Sequence, residues 1–74
     1  MSYTIRYTTE DYLGNVNSHF YTKETIEDAD TTFDNVCSTL RSEFYYCYMY
    51  RRVLVTITAG DERIREYSLE DMEE

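Results

Sequence analysis

The sequence predicts an α+β fold of order ββαββ, with a single helix packed on one face of one mainly antiparallel four-stranded sheet. Apolar and polar residues alternate near both ends of the chain, and a central segment repeats its apolar residues every three or four positions. The length of 74 residues predicts a single domain at residues 1–69 and an acidic tail at 70–74. A chain this short buries only about 60% of the surface of its unfolded form, so the core is thin.

The first two strands are expected to form a hairpin. Tyr3, Ile5 and Tyr7 share one face of the first strand, because successive side chains alternate across a strand. Gly14 precedes an asparagine, and both residue types tolerate a positive φ, so a turn is expected there. A second strand is expected over residues 16–22.

An amphipathic helix is expected from about Ile26 to residues 42–44. Apolar residues recur there at spacings of three, four and seven: Ile26, Ala29, Phe33, Val36, Cys37, Leu40 and Phe44. Thr25 is the expected N-cap, with Asp28 in the position of a capping box. Acidic residues in the first turn favour this helix because they lie at the positive end of its dipole.

The segment after the helix is ambiguous, because residues 45–50 could extend the helix or begin a strand. Their four tyrosines favour a strand. Residues 53–58 alternate and predict a strand, Gly60 lies in a tight turn, and residues 63–67 predict a returning strand. This order leaves two arrangements open: the first and last strands parallel at the centre of the sheet, or an all-antiparallel sheet.

The sheet face away from the helix is expected to be partly open to water. Tyrosine and threonine suit such a face, because each has an apolar body and a polar tip. The residues expected on this face are Thr4, Tyr21, Tyr46, Tyr48, Tyr50 and Thr56.

No catalytic or cofactor motif marks the chain. His19 is the only histidine, and Gly14 and Gly60 both fall in expected turns rather than in a phosphate-binding loop. Cys37 and Cys47 lack the close spacing of zinc ligands, and Cys37 is expected to be a small core residue. We therefore expect no enzymatic activity, no cofactor and no metal.

The start of the chain has no apolar run resembling a signal peptide, and no stretch approaches the roughly 18 apolar residues of a membrane span. Two cysteines do not make a disulfide framework. These observations favour a soluble cytoplasmic protein with no membrane partner.

Negative charge is the most distinctive feature of the sequence. Fifteen acidic and seven basic residues give a net charge of −8, and residues 24–40 carry five acids and no base. A row of carboxylates on the far side of the helix would imitate phosphates and dock on a basic groove that binds DNA or RNA. This hypothesis requires that neighbouring guanidinium groups leave the carboxylates unneutralised, and an ordinary solvated helix face has a similar composition.

A compact acidic chain with an acidic run at residues 24–34 and no active-site motif resembles the anti-defence proteins of phages and mobile elements, especially anti-CRISPR and anti-restriction inhibitors. The resemblance is one of type and transfers no residue. It implies stoichiometric inhibition of a host complex, in the host cytoplasm, by blocking a guide-, target- or PAM-reading groove. The partner is then a basic surface of a nucleic-acid-binding protein complex. The expected partner-binding residues are Glu24, Glu27, Asp28, Asp30, Asp34, Tyr46, Tyr48 and Tyr50.

Two other functions remain open from the sequence. The tyrosine-rich segment at residues 45–50 could pair with a second copy, which would make the chain a homodimeric assembly module rather than a monomer. A small nucleic-acid-binding domain would stack bases on tyrosines and hold phosphates with Arg6, Arg51, Arg52, Arg63 and Arg65. The net charge of −8 disfavours direct nucleic-acid binding, because it repels the phosphate backbone.

Overall fold

A computed structural model describes residues 2–71, and it confirms the predicted ββαββ order and α+β class. A π-helical turn follows the helix directly and adds one short element to the prediction. The elements are β1 (Tyr3–Glu10), β2 (Val16–Lys23), α1 (Ile26–Ser42), the π-helical turn (Glu43–Cys47), β3 (Arg52–Ala59) and β4 (Glu62–Glu70).

The four strands form one antiparallel sheet in the order β2-β1-β3-β4. Of the two arrangements that the sequence leaves open, the chain therefore adopts the all-antiparallel one. β2 and β3 run in the same direction on either side of β1. The chain between them must return along the length of the sheet, and α1 makes that return.

The core lies between α1 and the side of β1 and β3 that faces it. Phe33 and Leu40 are buried seven residues apart on α1, as the apolar spacing predicts. The N-cap is also confirmed, since the backbone N–H of Asp28 donates to Thr25 Oγ1 at 3.2 Å. The buried apolar residues are Ile5, Ala29, Phe33, Leu40, Val53, Val55 and Ile57.

Residues 45–50 do not form the strand that their aromatic content favours. The chain continues from α1 into the π-helical turn, which Tyr48 ends with a left-handed φ of 53°. Phe44 packs against the core and holds this helical extension in place. Because the helix runs on past residue 44, β3 begins only at Arg52.

The sheet face away from α1 carries no tyrosine in strands β1 to β4. Alternation along the strands places Thr4 and Thr56 on this face, as predicted, but it places Tyr21 on the side facing α1. Tyr46, Tyr48 and Tyr50 lie outside the strands altogether. The tyrosines expected on the open sheet face therefore lie elsewhere in the molecule.

The C-terminal strand extends to Glu70, the residue at which the predicted acidic tail begins. Glu70 lies opposite Arg52, and its carboxylate accepts a hydrogen bond from Arg52 Nη2 at 3.0 Å. The backbone N–H of Asp71 donates to the carbonyl of Arg51 at 2.9 Å. The rest of the predicted tail, residues 72–74, lies outside the described residues.

Candidate functional site

Arg65 neutralises part of the acidic row predicted on the helix. Its Nη1 lies 3.1 Å from Asp30 Oδ1 and 3.4 Å from Asp34 Oδ1. Its guanidinium also lies over the ring of Phe33, 4.3 Å from the ring centroid. The hydrogen bond to Asp30, followed by the nearby charge of Asp34, raises the pKa of Arg65.

Asp30 and Asp34 therefore do not lie on the far side of the helix, where the predicted row of carboxylates would be. At 100° per residue they fall about 60° and 100° from Phe33, at the border of the buried stripe. Arg65 lies opposite Ile57 in the sheet register, so its side chain points towards the same flank of α1. The requirement of unneutralised carboxylates fails for these two residues.

The end of the molecule where α1 begins gathers acidic side chains from two distant segments. Tyr3 lies opposite Lys23, and Thr4 lies opposite Thr58, so β2 and β3 finish at the same end of the sheet. The first turn of α1 follows β2, and the β3–β4 turn follows β3. We name the exposed acidic residues of this end the acidic pole: Glu24, Glu27, Asp28, Asp61 and Glu62.

The acidic pole forms no ion pair within residues 2–71. Three of its members were predicted from the sequence. The other two, Asp61 and Glu62, were missed because only the sheet register shows that the β3–β4 turn lies at the same end of the sheet as the start of α1. Lys23 is a base at this end, and the acids of the first turn also stabilise α1 through its dipole.

Four of the five arginines considered for nucleic-acid binding form ion pairs within the chain. The pairs, with nitrogen–oxygen distances, are Arg51–Glu10 (3.9 Å), Arg52–Glu70 (3.0 Å), Arg63–Glu66 (2.8 Å) and Arg65–Asp30 (3.1 Å). The fifth, Arg6, lies over the ring of Phe20, 5.7 Å from its centroid. Phosphates would have to compete with these carboxylates, which disfavours the nucleic-acid-binding alternative.

A groove separates α1 from the edge strand β2. α1 packs mainly across β1 and β3, so residues 16–22 of β2 stay exposed. The groove has a volume of about 400 Å³, within the range of about 300–1,000 Å³ that ligand pockets occupy. Its walls include Tyr7, Tyr21, Val36, Thr39, Glu43 and Tyr50. We name it the tyrosine groove.

Three phenol rings and one carboxylate give the tyrosine groove its chemistry. The ring of Tyr7 stacks on those of His19 and Tyr21, with centroids 5.2 Å and 6.2 Å apart. The hydroxyl of Tyr50 donates to Glu43 Oε1 at 3.1 Å. No lysine or arginine of the described chain lines this cavity.

Two phenols of the tyrosine groove, those of Tyr7 and Tyr50, are held in their neutral form. Partial burial raises the pKa of Tyr7 and of Tyr50, and the neighbouring phenol of Tyr21 adds to the effect on Tyr7. The carboxylate of Glu43 raises both pKa values further. The hydroxyls of Tyr7 and Tyr50 therefore lie near one carboxylate and remain hydrogen-bond donors at neutral pH.

The predicted site residues fall into separate regions and do not form one surface. Tyr46 and Tyr48 are 80% and 74% exposed, and they lie at the end of α1 opposite the acidic pole. Tyr50, by contrast, lines the tyrosine groove. Sequence reasoning selected Tyr50 but missed Tyr7 and Glu43, which contribute to the same cavity.

The thiol of Cys37 is not poised for reaction, and the described part of the chain brings together no set of metal ligands. Partial burial raises the pKa of Cys37 to about 11, so its thiol is protonated and poorly nucleophilic at neutral pH. Cys37 packs against the core, as predicted. Within residues 2–71, no group of three or more histidine, cysteine, aspartate or glutamate side chains is placed to hold a metal ion.

Among the described residues, no helix is both long enough and apolar enough to span a membrane.

Comparisons with known proteins add no family to this picture. No protein-family model, curated protein or solved structure matches the chain.

Proposed function

We propose that the protein acts by binding, as a small inhibitor whose acidic pole occupies a nucleic-acid-binding groove of a host defence complex. The observation that carries this proposal is the acidic pole itself, five exposed carboxylates at one end with no ion pair within residues 2–71. The class of target comes from the resemblance to anti-CRISPR-like proteins.

Charge complementarity supports docking on a basic surface. The chain carries a net charge of −8, and such a field steers a molecule towards a positively charged groove. Carboxylates accept charge-assisted hydrogen bonds from arginine and lysine, the same groups that hold phosphates. Contacts of this kind weaken as the salt concentration rises.

The scaffold fixes the position of the charges. Glu24 and Glu27 lie at the capped start of α1, and Asp61 and Glu62 lie at a turn between two paired strands. The two segments thus present their carboxylates at the same end of the sheet, each on an already folded element. In this proposal Asp30 and Asp34 are not partner contacts, because Arg65 holds both.

The proposal is tested by affinity capture from the cell in which the protein acts. Tagged protein should retain a nucleic-acid-binding protein, identified by mass spectrometry, and added duplex DNA or RNA should displace it. Displacement is expected because nucleic acid and the acidic pole would compete for one groove. Capture that is indifferent to added nucleic acid contradicts the proposal.

Two matched variants separate the acidic pole from the overall charge. Each replaces three glutamates by glutamine, so each changes the net charge by the same amount. One variant carries Glu24→Gln, Glu27→Gln and Glu62→Gln, and the control carries Glu10→Gln, Glu66→Gln and Glu70→Gln. We expect the pole variant to lose at least about tenfold in affinity, as loss of charged hydrogen bonds implies, and the control to retain binding. Equal losses in both variants would show that only net charge matters.

A further inference from the structure

The side chain of Arg65 is held by an aromatic ring together with two carboxylates. Its guanidinium lies over the ring of Phe33, 4.3 Å from the centroid. Its Nη1 meets Asp30 at 3.1 Å and Asp34 at 3.4 Å. Ring and carboxylate therefore bind one guanidinium on the β4 flank of α1.

The β2 flank of α1 presents the same combination without a guanidinium from residues 2–71. The tyrosine groove is lined by the rings of Tyr7, Tyr21 and Tyr50 and by Glu43, whose carboxylate accepts a hydrogen bond from Tyr50. We propose that the tyrosine groove is a binding site for an arginine side chain of a partner protein, with Glu43 as the counter-charge and the tyrosine rings as the stacking surface.

The groove selects a cation. Glu43 repels an anion, and no lysine or arginine of the described residues lines the cavity to attract one. Tyrosine ring faces are electronegative and attract cations within about 6 Å of the centroid. The Tyr50 hydroxyl donates a hydrogen bond to Oε1 of Glu43, which orients the carboxylate. Within residues 2–71 no side chain pairs with Oε2, so it is available to an incoming N–H donor.

Arginine fits this site better than lysine. A guanidinium is planar and weakly hydrated, so it stacks on an aromatic ring while it donates to a carboxylate in its own plane. An ammonium is a strongly hydrated point charge, so it loses more hydration free energy than a guanidinium when it enters a ring-lined groove. The chain uses guanidinium-over-ring contacts at Arg6 and at Arg65.

The groove also has room for the chain that would carry the arginine. A second depression of about 310 Å³ adjoins it and shares Tyr7 and Tyr50 with it. Its other walls include Asn17, His19 and Met49. The idea that a basic partner supplies the arginine rests on the proposed function, whereas the guanidinium site itself does not.

The site is tested with a free arginine derivative, so no partner needs to be known. Nα-acetyl-arginine amide is titrated into the protein, and the ring signals of Tyr7, Tyr21 and Tyr50 are followed by NMR. We expect saturable shifts with a dissociation constant on the order of millimolar, since one side chain makes few contacts. The acetyl-citrulline amide, which has the same shape and no charge, should cause no saturable shift, and the lysine analogue should bind more weakly.

Two charge-matched variants test whether the shifts caused by arginine arise from binding in the tyrosine groove. Glu43→Gln keeps the shape and removes the charge, so we expect binding about tenfold weaker or more. Glu66→Gln, which removes the same charge outside both the groove and the acidic pole, should leave the titration unchanged. If Glu43→Gln does not fold, Tyr21→Ala on the exposed edge strand replaces it, with an expected loss of about threefold.

The inference is overturned if arginine causes no saturable shift at these rings, if citrulline binds equally tightly, or if Glu43→Gln and Glu66→Gln weaken binding equally. Binding of lysine as tight as that of arginine overturns the assignment to guanidinium. A negative arginine titration does not affect the interpretation of the capture experiment on the acidic pole. Conversely, loss of the acidic-pole proposal leaves this titration intact, so the two failures are distinguishable.

Discussion

The two flanks of α1 carry similar chemistry, and only one of them is filled by the chain itself. On the β4 flank, Arg65 closes over Phe33 and two aspartates. On the β2 flank, Glu43 and the tyrosine rings border an open groove. The difference lies in whether the edge strand supplies a cation.

One row of residues across the sheet shows how the difference arises. Ile5 and Ile57 pair at the centre of the sheet, under the helix. The row ends in Arg65 on β4 and in Tyr21 on β2. Equivalent positions at the two edges thus hold a guanidinium on one side and a ring on the other, so the β2 flank has a ring where the β4 flank has the cation.

Of the truncations that compare the two flanks, that of Phe33, the ring beneath Arg65, should lower the stability most. Phe33 is 3% exposed, so Phe33→Ala should lower the free energy of unfolding by about 3–5 kcal/mol through lost burial and the resulting cavity. Thermal and urea denaturation measure the loss. Phe20→Ala, on the open sheet face, is the control and should cost less than about 1 kcal/mol. An unchanged melting temperature for Phe33→Ala would show that the helix register is wrong.

Removal of the cation itself should have an intermediate effect. Arg65→Ala loses a ring contact and two ion pairs, but its side chain is 42% exposed, so solvent screening limits the expected loss to about 1 kcal/mol. Urea denaturation at low and high salt checks this, because salt weakens the ion pairs more than the ring contact. Arg63→Ala breaks an exposed ion pair to Glu66 and should cost less. Equal losses for the two variants would mean that the ring adds nothing.

Truncation on the open flank should have the smallest effect on stability. Tyr21 is exposed on an edge strand. Within the described residues it holds no arginine side chain in place, whereas Phe33 lies beneath Arg65. Tyr21→Ala should therefore lower the free energy of unfolding by no more than about 0.5–1 kcal/mol. A loss as large as that of Phe33→Ala would show that the groove wall is structural rather than available to a ligand.

Local patterns predicted most of the fold. The apolar spacing around Phe33 and Leu40 identified the helix, and the cap at Thr25 identified its start. Each of these signals consists of residues that are close together in the sequence, so it can be recognised without the fold. Alternation identified the strands for the same reason. The segment at residues 45–50 was mispredicted because aromatic residues favour strands in general, whereas here the packing of Phe44 extends the helix.

The candidate sites depend on contacts between distant segments, which no local pattern reports. Arg65 reaches Asp30 across 35 positions of sequence, so no local pattern indicates that part of the acidic row is neutralised. The tyrosine groove exists because α1 leaves β2 uncovered, and that follows from the strand order. Tyr7 was predicted as a strand residue, but its contacts with Tyr21 and His19 depend on the hairpin register.

The uncovered edge strand has a consequence for the groove that it borders. β2 contributes no buried residue and is held mainly by its hydrogen-bond ladder to β1. Segments with little buried surface open at a lower free energy than the core of the same protein. One wall of the groove therefore has less buried surface holding it than the central strands β1 and β3 have, and we expect it to open more readily than they do.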